Sequence, residues 1–372
     1  MDIMRKISKF LYINIIKPIL FLFPADDMHE FFLRAGNKLG KYTSVKKIFR
    51  KIWSYEDKIL EQNICGLDFK NPIGLSAGFD YNADLTELLP SIGFGFHSVG
   101  TLTHEPYGGN PAPMLGRLPK SRSLLVNKGF KNNGVKNALV NIGASKHEIP
   151  IGVSIGMTNR TYPDFDSMLE NLVAGFRDAK NFDYYELNIS CPNLLNTQNI
   201  NEQIASPSGL EKTLKLLEKL NLTRPVFIKM PLEKSAEEME EIMEVANGFP
   251  FIRGLIFSNL VKDRTNHAFN ACEIKKAGKG NFSGKPTEEQ SNSALCHAYK
   301  KYNKRFVLIG SGGVFTAEDA YRKILFGASL VQLITGMIFM GPQQIGLINK
   351  ELAELLKKDG YSNVRDAIGA LA

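Results

Sequence analysis

Eight short apolar runs, separated by helical stretches from about residue 66 onward, constrain this chain more than any other feature. They are Ile73–Ala77, Gly95–Gly100, Ile151–Ile155, Tyr184–Ile189, Pro225–Met230, Gly254–Ser258, Arg305–Gly310 and Ser329–Ile334. The runs are continuous and β-branched, as in parallel strands buried on both faces. Helical stretches lie at about 83–90, 165–180, 209–220, 235–247, 288–302 and 317–326, and 343–357 reads as a closing helix. Eight strand–helix units predict an α/β fold, the (β/α)8 barrel. An open doubly wound sheet is the alternative, but no Gly-x-Gly-x-x-Gly follows the first run. Residues 103–125, with Pro106, Gly108, Gly109, Pro111 and Pro113, read as a loop, and so does the Lys-, Asn- and Gly-rich stretch 262–290. Long loops on one barrel face are natural lids.

The length of 372 residues suits one large barrel with an appendage, and 44% hydrophobic residues suffice for its core. The net charge is +8, yet residues 1–58 hold twelve Lys and Arg against six Asp and Glu. Most of the excess therefore sits in the N-terminal segment, which argues against a nucleic-acid groove. Cys65, Cys191, Cys272 and Cys296 form no Cys-x-x-Cys, as in a reducing compartment, and the six histidines show no metal spacing. Residues 10–23 are apolar but interrupted by Asn14, Lys17 and Pro18. The run is too short and too polar to span a bilayer. It suits an interfacial anchor, with Arg5, Lys6, Lys9 and Lys17 meeting anionic lipid. A second helix starts at Asp26 or Asp27, with an apolar stripe of Met28, Phe31, Phe32, Ala35 and Leu39. Residues 1–60 thus read as a helical membrane-associating extension and 61–372 as the barrel. Plain capping of the barrel is the other reading, and one flap can do both, leaving a tunnel for an apolar co-substrate.

Barrel chemistry belongs at strand ends. Asn188-Ile189-Ser190-Cys191-Pro192-Asn193 follows the fourth run and sets two amides around a thiol. Cys191 is a candidate general base if its setting lowers its pKa, and a small buried apolar residue otherwise. Lys229 ends an apolar strand and needs a partner if buried; it can stabilise negative charge on a reduced flavin ring, or snorkel to the mouth. Ile309-Gly310-Ser311-Gly312-Gly313 and Leu333-Ile334-Thr335-Gly336 follow the last two runs, where barrels commonly hold phosphate.

These motifs, taken in order, make the chain resemble the dihydroorotate dehydrogenases of the membrane-associated, quinone-dependent class. The resemblance runs through Phe23–Phe31, Asn71–Tyr81, Gly93–Thr103, Gly129–Gly134, the Asn188–Asn193 segment, Phe227–Lys229, Asn259 with Asp263-Arg264, Ser283–Pro286, Gly310–Gly313 and Gly327–Gly336. It implies a barrel that binds FMN at its C-terminal mouth and oxidises dihydroorotate, with electrons passing to a membrane quinone. It implies FMN contacts from Ala77, Gly78, Thr101, Ser154, Asn188, Lys229, Ser258, Gly284, Gly313, Ile334 and Thr335. The implied substrate residues are Tyr81, Asn127, Lys128, Gly129, Phe130, Asn188, Asn193 and Asn259, with Cys191 as base. His29 and Arg117 match positions lining the quinone tunnel. The implied location is peripheral, on the cytoplasmic face of the cell membrane.

The chain also departs from that pattern. Cys191 stands where the quinone-dependent class usually has Ser. Tyr81 replaces a lysine, Val126 falls at an asparagine position in ungapped register, Leu260 replaces a hydroxyl residue, and Ser154 replaces an asparagine. These changes make the site less polar and keep open an FMN-dependent paralogue acting on a less polar substrate. Lys128, entering from the shortened loop, is the expected compensation.

Overall fold

The computed structural model describes residues 2–143, 147–197 and 199–372. All eight runs form strands: β1 (Ile73–Leu75), β2 (Phe96–Leu102), β3 (Ile151–Ile155), β4 (Tyr184–Asn188), β5 (Val226–Lys229), β6 (Ile252–Phe257), β7 (Val307–Ser311) and β8 (Leu330–Leu333). They pair in parallel, each with the next, and β8 pairs β1 to close the barrel. The open-sheet alternative is thereby excluded.

Inward positions follow the two-residue period of a strand. At the floor, Phe96, Tyr184, Phe227, Ile256, Ile309 and Leu330 pack together with Ile64 and Phe69. The last two come from a hairpin of Gln62–Ile64 and Leu67–Phe69 that plugs the base. Gly74 and Gly152 leave room for the aromatic rings; a Cβ on Gly152 would lie 2.0 Å from Tyr184 Cε2. Two residues further along, several of the same strands present Ser98, Glu186, Lys229, Ser258, Ser311 and Gln332, all of them buried. The interior thus turns from apolar to polar towards the C-terminal ends.

Helices fall near the expected places at Phe165–Asp178, Pro207–Glu218, Ala236–Asn247, Glu288–Tyr302, Ala317–Leu325 and Gln344–Lys358. The stretch expected as a helix over 83–90 is instead a loop ending in the short helix Leu89–Ile92. The buried Asp80 carboxylate accepts the N–H groups of Asp84 and Leu85 at 2.8 and 2.9 Å, which fixes a turn there. A helix at Val135–Ile142 was not foreseen. Nor is either long stretch purely loop. Leu115–Leu118, Ser123–Val126 and Asn281–Gly284 form a three-stranded antiparallel sheet beside the mouth, and Ala271–Lys276 is helical.

The N-terminal segment is a run of helices: Asp2–Leu11, a wide π-helical turn at Tyr12–Ile16, and Lys17–Leu20. Pro18 has no N–H to give the carbonyl four residues back, which accounts for the wide turn before it. A second helix, Ala25–Gly40, starts one residue before the expected Asp26, and a third, Thr43–Trp53, follows it. Small residues let these helices lie close on the barrel. A Cβ on Gly36 would meet Leu85 Cδ2 at 2.3 Å, and one on Gly346 would meet the Trp53 carbonyl oxygen at 1.6 Å. No helix among the described residues is long and apolar enough to cross a membrane.

Gly152→Ala forces its new methyl into the Tyr184 ring. The expected cost is about 1–3 kcal/mol, read as a lower urea midpoint.

Candidate active site

One cavity of about 560 Å³ lies between the barrel mouth and the N-terminal helices. Its floor and rim come from strand ends and the loops after them; its roof is the helix Ala25–Gly40 with the turn before it. The roofed end is apolar, lined by Leu20, Phe21, Met28, Phe31, Phe32, Ala35, Leu39, Leu88, Met337 and Ile338. The mouth end carries the amides, hydroxyls and Lys229.

Lys229 leaves the end of β5 and is buried, which pulls its pKa down; Glu186 opposes that shift. Its Nζ donates to Ser76 Oγ at 3.3 Å, and that hydroxyl donates to Gln332 Oε1 at 3.3 Å. Gln332 Nε2 in turn donates to Glu186 Oε1 at 2.7 Å, and Ser98 Oγ donates to the same oxygen. A hydrogen-bonded row therefore separates a buried cation at the mouth from a buried carboxylate below it. Asn188 Nδ2 donates to Thr101 Oγ1 at 2.9 Å, and Asn259 Nδ2 donates to Ser190 Oγ at 2.9 Å and Asn188 Oδ1 at 3.4 Å. Ser258 Oγ, at the end of β6, is buried without a hydrogen-bond partner and lines the cavity.

A glycine-bearing rim closes the opposite side. Gly284 has φ +86° and Gly313 has φ +74°, conformations that favour glycine. A Cβ would lie 2.3 Å from the Arg122 carbonyl oxygen at Gly284 and 2.4 Å from Glu288 Cβ at Gly313. Ile334 and Thr335 complete the rim, with Thr335 Oγ1 2.8 Å from Ser283 Oγ.

Cys191 lines the cavity beyond β4 as a free thiol. Burial pushes its pKa up to about 12, and the Asn193 backbone and Lys229 oppose this only in part. The lowered pKa expected for a ready base is not found, because desolvation outweighs the nearby lysine. Asn193 Oδ1 accepts from Asn281 Nδ2 at 2.6 Å, which ties the Cys191 loop to the antiparallel sheet.

Of the residues singled out in the sequence, Ala77, Gly78, Thr101, Asn188, Lys229, Ser258, Gly284, Gly313, Ile334 and Thr335 line this one cavity. So do Tyr81, Lys128, Gly129, Phe130, Cys191, Asn193, Asn259, His29 and Arg117. Two stand off it. Ser154 is fully buried behind Thr101, with its Oγ 2.9 Å from Thr101 Oγ1. Asn127 spends its carbonyl oxygen on Asn110 Nδ2 at 3.0 Å, while Val126 lines the cavity instead. The strand Ser123–Val126 sets that register.

Tyr81 and Lys128 turn towards the roof. Tyr81 OH donates to Glu30 Oε1 at 2.6 Å, and Lys131 Nζ donates to the same oxygen at 2.6 Å. Burial opposes ionisation of Glu30, but these two donors hold its carboxyl down at about 2. Lys128 Nζ lies 3.7 Å from Asp26 Oδ1 and 5.1 Å from the centre of the Tyr81 ring. His29 Nε2 donates to the Phe79 carbonyl at 2.8 Å, and burial pulls its pKa down to about 3, so the ring is neutral. Arg117 Nη1 donates to the Phe23 carbonyl at 2.8 Å.

Sequence reasoning missed Ser76, Ser283 and Thr287 on the lining, and Glu186 and Gln332 beneath it. The steps from Phe96 to Ser98, Tyr184 to Glu186 and Leu330 to Gln332 carry the signal, since each polar residue follows a floor residue by two.

A closed parallel barrel with a roofed cavity over its C-terminal mouth defines a barrel enzyme that does its chemistry there. The chain belongs to the dihydroorotate dehydrogenase family, whose model matches residues 59–356. It is 34% identical over 348 residues to a dihydroorotate dehydrogenase (quinone) of Christiangramia forsetii, covering 92% of this chain and 99% of the relative. It is 30% identical over 352 residues to one of Nocardia farcinica, covering 95% of both. Among solved structures, DHODH from Eimeria tenella in complex with ferulenol superposes with a TM-score of 0.80 at 27% identity, covering 93% of this chain and 95% of that one.

Replacing Glu186 with Ala removes the carboxylate that accepts from both the Ser98 hydroxyl and Gln332 Nε2, leaving these two only each other and Tyr184 OH as partners at the barrel centre. The expected loss is about 1–3 kcal/mol in denaturant unfolding.

Proposed function

We propose that this protein oxidises dihydroorotate to orotate, using FMN at the barrel mouth and a quinone as electron acceptor. Family membership supports the reaction. The observation that carries the reading is the continuous cavity, polar over the strand ends and apolar under the N-terminal helices. A polar donor and an apolar acceptor can thus reach one cofactor from different ends.

The residues present fit FMN. The orphaned Ser258 hydroxyl, the Lys229 amine and the Thr101–Asn188 pair suit the polar edge of a flavin ring, with Ala77, Gly78 and Ile334 beside it. The rim at Gly284, Gly313 and Thr335 admits a phosphate where a side chain would clash. When bound, the flavin takes up the electron pair from the substrate and passes it on. The chain's own residues orient and exclude. Lys229 sets a positive charge at the cavity floor, held by Ser76 and balanced at a distance by Glu186. Asn188, Asn193 and Asn259 offer donors and acceptors to a planar, hydrogen-bonding ring. Cys191, in place of the class's usual Ser, receives the substrate proton as the thiolate once its own proton has left to solvent; burial, which holds the thiol at about 12, makes that form scarce at neutral pH.

Residues 1–60 form the acceptor module and 61–372 the flavin-binding barrel. Ile3, Ile7, Phe10, Leu11, Ile15, Ile19 and Leu22 are exposed on the first helices beside a basic segment, which suits peripheral attachment to an anionic membrane surface. We assign that surface to the cytoplasmic face of the cell membrane.

Anaerobic dihydroorotate should bleach the absorbance of the flavin-loaded protein. Bleaching only by a less polar cyclic substrate would replace this reading with the paralogue. Because the thiol is protonated at neutral pH, the bleaching rate should climb as pH rises from 7 towards 10. Cys191→Ala should cut that rate by about 10²–10⁴ and flatten its pH dependence; parent-like rates in the alanine variant would remove Cys191 as the base. Ile7→Asp with Phe10→Asp should abolish co-sedimentation with phosphatidylglycerol vesicles and leave bleaching by dihydroorotate intact.

A further inference from the structure

We propose that the Lys128 ammonium is the acid that protonates the electron acceptor as it is reduced. This rests on the reading above, because it assigns a residue to the acceptor end of the same cavity.

The polar groups near the roofed end are mostly spoken for. Tyr81 OH is given to Glu30, His29 Nε2 to the Phe79 carbonyl, and Arg117 to the Phe23 carbonyl. Lys128 differs. It is only 7% exposed, it lines the cavity, and its Nζ is buried with no hydrogen-bond partner. Its nearest carboxylate oxygen, Asp26 Oδ1, is 3.7 Å away, an ion-pair separation beyond hydrogen-bond reach. Asp26 cannot swing freely to meet it, because its Oδ2 accepts the N–H groups of Met114 and Leu115 at 2.9 and 3.2 Å. A buried ammonium without a hydrogen bond is costly unless a ligand supplies the acceptor. Its neighbours Asp26, Tyr81 and His29 lie on or against the roofing helix, so it faces the acceptor end.

The chemistry needs such a group. A quinone becomes a quinol by gaining two electrons and two protons, each carbonyl oxygen ending as a hydroxyl. The electron pair and one proton come with the oxidation of dihydroorotate. Lys128 gives the second proton, becomes a neutral amine, and regains a proton from solvent before the next turnover. Burial pulls the Lys128 ammonium down to about 8, with Asp26 opposing the shift and Lys131 adding to it. Its proton is therefore transferable near neutral pH. The charged and titratable groups facing it are Asp26, His29 and Glu30 on the roofing helix, Tyr81 after β1, and Lys131 on its own loop. His29 is neutral and Glu30 ionised throughout the range from pH 6 to 9, because their pKa values lie near 3 and 2.

The test photoreduces the flavin-loaded protein anaerobically, so that no substrate is needed, and follows the return of flavin absorbance on mixing with decylubiquinone or with ferricyanide. Ferricyanide takes electrons without protons. The parent rate with decylubiquinone should fall above pH about 8. Lys128→Gln lacks the acid; Lys128→Arg keeps the charge but holds its proton too tightly to give it. Both should slow the quinone reaction by about tenfold or more and lose the alkaline fall, with ferricyanide rates unchanged. Either variant carries the test if the other fails to fold. Parent-like quinone rates in either variant would overturn the proposal, since recovery in the arginine variant would mean that charge alone suffices. Equal slowing with ferricyanide, or failure of the parent to react with decylubiquinone, would also overturn it. Weaker dihydroorotate binding with normal quinone rates would place Lys128 at the substrate end instead. A parent flavin that dihydroorotate cannot bleach would sink the dehydrogenase reading separately, without touching this result.

Discussion

The closed barrel forces every second residue of each strand into one narrow interior, and the rest of the structure depends on how that space is filled. Bulky apolar side chains occupy the floor and are sealed by the hairpin plug. One step higher the side chains are polar, and with water excluded most of their polar atoms pair with one another, Ser258 Oγ and Glu186 Oε2 being exceptions. The row from Glu186 through Gln332 and Ser76 to Lys229 answers that demand. It anchors the lysine at the mouth from below and leaves its charge facing the cavity. Positions that would be arbitrary on a surface are fixed here by closure.

The roof adds a second constraint. Asp26 binds two backbone N–H groups beside the barrel mouth, and Gly36 and Gly40 bring the roofing helix against Leu85, Glu87 and Leu88. A helix held that closely encloses an apolar space that the barrel alone would leave open. The charged groups Asp26, Glu30, Lys128 and Lys131 gather along the seam where the roof meets the mouth. Chemistry that needs protons near an apolar ligand has its charges there.

Much of this was legible in the sequence, and the reasons differ by element. The eight strands were legible because burial on both faces demands unbroken apolar runs. The helix over 83–90 was misread because periodicity cannot register that the Asp80 carboxylate captures the next turn's N–H groups. Leu115–Leu118 and Asn281–Gly284 were hidden by flanking Pro and Gly, and their pairing is a long-range fact. That pairing also decides that Val126, and not Asn127, reaches the cavity. Ser154 matched a motif position, yet Thr101 stands between it and the cavity. Cys191 was found by its setting, but the direction of its pKa shift depends on burial, which spacing does not reveal. Lys128 was singled out by the loop it sits on; its orientation towards Asp26 required the folded roof.

The proposed reaction requires a single cavity to serve two reactants at two ends, one over the strand ends and one under the helices. Ala35 lines the roofed end from the Ala25–Gly40 helix. The direct measurement is the rate of each half-reaction in Ala35→Trp, with the bulky ring filling that end alone. Bleaching by dihydroorotate should stay within about twofold of the parent and ferricyanide return should be unchanged, with decylubiquinone return slowed by about tenfold or more. An unchanged quinone rate, or bleaching that slows as much as the return, would contradict it.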